Sequence, residues 1–295
     1  MSSKHNNAIL LAILAATLYA ISSPISKILL REIPPMMMAA MLYLGAGIGM
    51  SVIGVVRKNR GAELRLTRKE LPYTVAMVVL DIAAPIFLML GLTLTTAANA
   101  SLLNNFEIVS TAMIALLVFN EKITRRLWIA IALITLSSMI LTIDDTSSFS
   151  FSLGSVFVVI ACICWGIENN CTRVLSTKDP LQIVIIKGFG SGLGALIIAF
   201  AVGERIDNPA YIPAALLLGF FAYGLSIYFY VYAQRELGAA KTSAYYAIAP
   251  FIGVLLSFVI LGEKPNAPFA LALVIMIFGA YLASTTTKKE SISLM

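Results

Sequence analysis

Apolar residues run along this chain in long blocks interrupted by charge, proline or glycine. Ten blocks stand out, at about 8–30, 34–56, 71–93, 97–119, 127–143, 152–174, 181–202, 212–233, 240–261 and 267–285. Most reach the roughly 20 residues that a helix needs to cross a bilayer. Blocks of that length predict helices, because a helix satisfies all its backbone polar groups internally where water is absent. The pattern therefore predicts an all-α integral membrane protein with ten transmembrane helices and short connections. The first block follows a basic tip, as in a cleaved leader, but its counterpart later in the chain argues that it is retained.

The blocks form two sets of five that repeat each other in order. A shift of 146 places Tyr19 on Trp165, Ile21 on Ile167, Lys27 on Arg173, Leu29 on Leu175 and Pro34 on Pro180. A shift of 145 places Gly45, Gly47 and Gly49 on Gly190, Gly192 and Gly194. A shift of 142 places Ala97, Ala98, Ser101, Glu121 and Lys122 on Ala239, Ala240, Ser243, Glu263 and Lys264. Repeated order at a slowly drifting offset marks a duplicated unit, here 1–145 and 146–295. Five is odd, so the second unit enters the membrane in the opposite sense to the first. In such an inverted repeat each half can adopt the other's conformation, opening a central site to alternate sides. The plain alternative is coincidence among helices rich in Leu, Ala and Gly.

Composition agrees: 59% of residues are apolar and only 12% charged, about half the charge of a soluble domain. With the N-terminus inside, 16 of the 21 Lys and Arg fall in cytoplasmic segments, Lys27, Arg31, Arg205 and Lys264 fall outside, and Lys187 lies within a span. The positive-inside rule then puts both termini in the cytoplasm of a bacterial-type inner membrane. This asymmetry accounts for the net charge of +6 without a nucleic-acid partner.

Several short motifs carry a family resemblance. Trp165-Gly166 lies in one first helix and Pro180 opens the next. Thr96-Ala-Ala-Asn-Ala100 and Gly238-Ala-Ala-Lys-Thr242 open the fourth helix of each half, and Asn120-Glu-Lys122 and Gly262-Glu-Lys264 close it. In this duplicated order they resemble paired EamA domains of the drug/metabolite transporter superfamily, over nearly the whole chain. The resemblance implies a ten-helix secondary carrier, commonly an exporter of amino acids or related metabolites. The first half departs from the pattern at Tyr19, where Trp is common, and at Glu107-Ile108, where a proline is expected and where the second half has Pro250.

Candidate chemistry lies in polar groups placed inside spans, where a charge costs about 2.5–3.5 kcal/mol on insertion scales and so usually faces a cavity or a partner. Asp81, Glu107, Glu168 and Lys187 are the ionisable ones. Trp165, Glu168, Asn169 and Thr172 share a helix face, and its repeat partner is Tyr19, Ser22, Ser23 and Ser26. Two such stripes would line a shared cavity, or act as polar glue between packed helices. Asn104, Glu107 and Thr111 form a third stripe, with Tyr245 and Tyr246 at the repeat positions of Leu103 and Asn104, and Tyr223 at that of Asp81. A carboxylate among tyrosine faces suits an organic cation. Lys187 has two readings: a buried ion pair with Glu107, or one with Asp81. The glycine ladders around 45–49 and 188–194 predict close helix contacts, with Gly190→Leu expected to stop a sliding motion.

Other classes lose their chemistry. His5 is the only histidine and sits in the polar tip, so neither a His-based metal site nor a catalytic triad fits inside the fold. No phosphate-binding G-x-x-x-x-G-K-[ST] run occurs. Cys162, Cys164 and Cys171 read as small buried hydrophobes. No cofactor and no metal are expected. Asp144-Asp145 reads as a solvated turn rather than a phosphoryl-transfer site. The leading expectation is a secondary carrier, not an enzyme, whose partners are a small-molecule substrate, the lipid bilayer and protons; a passive channel or facilitator is the runner-up and a membrane-embedded enzyme the third reading. Three carboxylates against one lysine favour cations or zwitterions over anions.

Overall fold

A computed structural model of the chain describes residues 3–56, 66–119, 123–145, 150–175, 177–237, 242 and 245–284. The helices are α1 (Ser3–Ala20), α2 (Ser22–Leu29), α3 (Pro35–Val56), α4 (Leu71–Leu94), α5 (Ala97–Leu103), α6 (Phe106–Phe119), α7 (Arg125–Thr142), α8 (Leu153–Leu175), α9 (Pro180–Val202), α10 (Ile212–Gly219), α11 (Ser226–Leu237), α12 (Ala249–Leu261) and α13 (Ala267–Ser284). Among the described residues nine helical spans are long and apolar enough to cross a membrane, and α12 is a shorter apolar helix. Among the described residues the strand structure is a short antiparallel ladder of Ile143–Asp145 with Ser150–Phe151. It occupies the connection where the sequence suggested a turn at Asp144-Asp145. Asn120-Glu-Lys122, Gly238–Lys241 and the basic residues between 57 and 65 lie outside the described residues.

Local chemistry explains where the helices begin and end. Pro35 and Pro180 each occupy the first turn, where the missing N–H costs nothing. Thr96, Thr124 and Asp179 turn side-chain oxygens onto the free N–H groups of α5, α7 and α9. Gly203 and Gly262 stop α9 and α12 in the left-handed region. Other ends are closed from far away in sequence. The Glu204 carboxylate accepts the Met37 N–H at 2.8 Å, and Glu263 accepts both Ala97 and Ala98 N–H at 2.8 Å. Lys27 donates to the carbonyls of Leu92 and Thr95 at the end of α4.

Four spans are interrupted. Pro24 has no N–H to give the Ala20 carbonyl, and the first span breaks at Ile21 between α1 and α2. Pro250 does the same to Tyr246, beside a turn at 247–248. The first half has no proline at 107–108, and there the break falls at Asn104 and Asn105. The backbone tightens into i→i−3 bonds from Asn105, Glu107 and Ile108, while the Asn105 amide donates to the Leu102 carbonyl. Residues 220–225 form a π-helical turn between α10 and α11, a feature common at functional sites.

The packing is pairwise. α3 lies on α9, α4 on α8, α7 on α13, α5 on α12 and α1 on α11; α6 meets α8, α1 meets α12, α4 meets α9 and α3 meets α10. Exchange every membrane span, with its helices taken together, for the span about 145 residues away, and this set of pairings is unchanged. Large apolar side chains such as Val55, Leu117, Ile197 and Val259 remain exposed on the outside. That outer surface suits lipid rather than water.

Candidate functional site

The interruptions converge on the middle of the molecule, and the polar side chains cluster there. Lys187, on α9, forms two ion pairs, at 3.1 Å to Asp81 Oδ2 on α4 and at 2.8 Å to Glu168 Oε1 on α8. All three residues are at most 5% exposed. The Tyr43 hydroxyl donates to Asp81 Oδ1 at 2.9 Å, and Thr172 donates to Glu168 from the next turn. Lys187 lies seven residues past Pro180 and Glu168 seven before Leu175, which sets the triad ~10 Å inside the helix ends. Two carboxylates on one ammonium leave one negative charge in excess when all are ionised. At that depth in the helix bundle, this mutual pairing and the hydrogen bonds from Tyr43 and Thr172 offset the desolvation of each group.

A second cluster adjoins it. Asn169, next to Glu168 on α8, donates to Glu107 Oε1 at 2.5 Å and to Thr111 Oγ1 at 3.3 Å. Among the described residues no lysine or arginine forms an ion pair with Glu107. The sequence left Lys187 open between Glu107 and Asp81; the structure gives it Asp81 and also Glu168, and hands Glu107 to an amide instead. The reason is helix geometry. Residues 168 and 169 lie about 100° apart on α8, so one faces α9 and α4 while its neighbour faces α6.

Tyrosines fill the rest of the centre. Tyr223, on the π-helical turn, has its ring 5.2 Å from Tyr43 and 5.9 Å from Tyr19, and Tyr19 lies 5.9 Å from Tyr246. Ser22 donates to the Tyr223 hydroxyl at 3.2 Å. By the repeat offsets Ser22 corresponds to Glu168 and Tyr223 to Asp81, so one junction is charged while its counterpart is neutral. Trp165 is buried on α8 a turn before Glu168. Tyr19, Ser23 and Asn104 line a small cavity together with Ser101 and Pro250.

Not every predicted residue arrives here. Tyr245 packs beside Ala8, Ala12 and Ala233, away from the tyrosine cluster that holds its neighbour Tyr246. Tyr43 is the contributor that sequence reading missed. Apart from Ser51, two turns further on, its helix is apolar residues and glycines, so no polar stripe marks it. Ser101 was legible in the sequence only through its repeat match to Ser243.

Comparison with known proteins places this geometry. The EamA-like transporter family matches residues 6–143 and again 152–285. The chain is 27% identical over 292 residues to an "uncharacterized transporter" of Methanothermobacter thermautotrophicus, covering 92% of this chain and 84% of that one. It is 23% identical over 261 residues to the uncharacterized inner membrane transporter YedA of Escherichia coli K12, covering 85% and 82%. It is also 23% identical over 212 residues to protein LicB of Haemophilus influenzae, covering 68% and 70%. A solved crystal structure superimposes with a TM-score of 0.67 at 16% identity, covering 94% of this chain and 96% of the other, a likeness of fold. These names point to a transporter rather than an enzyme. With helical spans suited to lipid, a buried polar centre and a family match over both halves, the chain belongs to the EamA-like transporter family and is a multi-pass membrane transporter.

Proposed function

We propose that this transporter is a secondary carrier that exports small cationic or zwitterionic metabolites, such as amino acids and related amphipathic compounds, across an inner membrane. Its two halves, 1–145 and 146–295, act as inverted five-helix repeats whose exchange of conformation gives alternating access. The observation that carries the substrate class is the charge balance of the centre: Asp81, Glu107 and Glu168 face one cation, Lys187, and Glu107 is held by an amide. Tyrosine faces next to a carboxylate add cation–π attraction for an organic ammonium. Substrate contact falls to Glu107, Asn169, Tyr19, Tyr223 and Tyr246, and protons load onto Glu107 or the Lys187-bridged pair. The unchanged pairing of helices on exchange of the halves supports the repeat, and the 16-to-4 distribution of basic residues supports two cytoplasmic termini.

Purified protein in proteoliposomes, given a panel of amino acids, amines and sugars, is expected to show saturable, pH-dependent flux of an amino compound. Losing one charge-assisted contact costs about 1.5–3 kcal/mol, so Glu107→Gln and Glu168→Gln should each lower that flux at least about tenfold at unchanged protein recovery. Full flux in both variants would exclude the two carboxylates as essential groups. The topology is checked separately. In a background with the native cysteines replaced by alanine, Lys122→Cys should label from the cytoplasmic side and Lys264→Cys from the opposite side; labelling of both from one side overturns the inverted repeat.

A further inference from the structure

Between α1–α2, α5 and α12 lies a cavity with about 10 Å³ of room, lined by Tyr19, Ser23, Ser101, Asn104, Pro250 and Gly253. That is the scale of a single water-sized guest. Every protein element around it is interrupted or ends nearby: α1 at Ile21, α5 at Asn104, and the span of α12 at 247–248. Its wall is oxygen-rich. Ser101 is 2% exposed, and its hydroxyl has no hydrogen-bond partner among the described residues. The Ala20 carbonyl is denied its usual i+4 donor because that position is Pro24. A Cβ built on Gly253 would lie 2.8 Å from Ser101 Oγ and 3.3 Å from the Ala20 oxygen. Both oxygens therefore front the same spot and are no more than about 6 Å apart. Ser23 and Asn104, three positions beyond these residues, line the same cavity. The Asn104 side-chain oxygen meets only a long contact from Cys162 Sγ, at 3.9 Å.

We infer that this cavity is a Na⁺ site, formed by the Ala20 carbonyl and the side-chain oxygens of Ser23, Ser101 and Asn104. Hard oxygen donors at interrupted membrane helices, with freed carbonyls, suit an alkali cation. Among the described residues, no basic side chain lines the wall to invite an anion, and no carboxylate lines it to hold a divalent ion. Glu107, one turn beyond Asn104, adds long-range attraction for a positive charge in a low-dielectric centre. The larger K⁺ calls for more oxygens than this wall offers. Gly253 is then a residue of necessity, since any Cβ there would fill the site.

The test reads binding rather than flux, so it stands or falls apart from the carrier reading. Purified protein in detergent, at constant ionic strength, is melted in NaCl, KCl, ammonium chloride and N-methyl-D-glucamine chloride. Na⁺ at ten times its Kd should raise Tm by about 3 °C or more, saturably, and the other three cations should not. Ser101→Ala should abolish the shift, while Ser138→Ala, another buried hydroxyl without a partner among the described residues, on α7 and outside the cavity lining, should keep it. Should Ser101→Ala fail to fold, direct ²²Na⁺ binding to the unaltered protein, competed by unlabelled Na⁺ but not by K⁺, decides the matter. Equal Tm in all four salts, a shift that survives Ser101→Ala, a larger response to ammonium, or no competable ²²Na⁺ binding would each overturn the inference.

Discussion

Lys187→Met is expected to be the most damaging single substitution in the protein. It leaves Asp81 and Glu168, both within 3.1 Å of the lost ammonium, as two buried carboxylates facing each other without a counter-ion. Breaking a buried pair from one side costs about 3–5 kcal/mol, far more than the pair is worth against an apolar replacement. Two carboxylates lose a partner here, so the upper end applies. At about 2–4 °C per kcal/mol for a chain of this size class, Tm of the detergent-solubilised protein should fall by at least about 10 °C, with much of the expressed protein aggregated. The companion variant separates charge from shape. Lys187→Met combined with Asp81→Asn and Glu168→Gln has no unpaired charge and keeps the Tyr43 hydrogen bond, so it should recover most of the lost stability while remaining inactive in flux. A single Lys187→Met protein that melts like the unaltered one would show that the three side chains are not an ionic unit in the folded state.

That experiment also bears on what the sequence could reveal. The four ionisable residues inside spans were visible at once, because charge in a long apolar block is rare and has to be compensated. Their pairing was not visible. Lys187 had Glu107 and Asp81 as readings, and the choice depends on how α8 is rotated between α6 and α9, a tertiary quantity absent from the order of residues. The repeat told which helices are equivalent, hence which could pair, but offsets of 142 to 146 leave a positional uncertainty of about one helical turn. Tyr43 was missed for a related reason: one aromatic hydroxyl among methionines, alanines and glycines gives no periodic signal. The breaks divide cleanly. Those at Pro24 and Pro250 follow from the missing N–H. The one at Asn104-Asn105 replaces a proline by side-chain competition for the backbone, and the π-helical turn at 220–225 has no marker in Phe220-Phe-Ala-Tyr-Gly-Leu225. Tyr223 owes its place in the centre to that turn.

The glycine ladders give the second large expected effect, and the structure moves it to another residue. On sequence alone the ladder positions on α9 are interchangeable, and Gly190 was the natural one to block. A Cβ at Gly190 would meet the two γ-methyls of Val78 at 3.0 Å, a contact that eases when that side chain gives by a few tenths of an ångström. A Cβ at Gly188 would lie 2.3 Å from the Gly47 nitrogen and 2.4 Å from its Cα, with the Tyr43 carbonyl at 2.9 Å. All of these are backbone, so α3 and α9 must separate to admit it. Overpacking a well-filled interior ordinarily costs about 1–3 kcal/mol, and a clash with backbone belongs at or above the top of that range. Gly188→Ala should therefore lower Tm by about 6 °C or more, whereas Gly190→Ala should stay within about 2 °C of the unaltered protein. Flux should separate them further. Gly188 is bonded to Lys187 and packs against the turn that carries Tyr43, so pushing α9 off α3 draws the ammonium and the Tyr43 hydroxyl away from Asp81 together. Equal tolerance of alanine at 188 and 190 would mean that the approach of Gly188 to Gly47 does not set the spacing of α3 and α9.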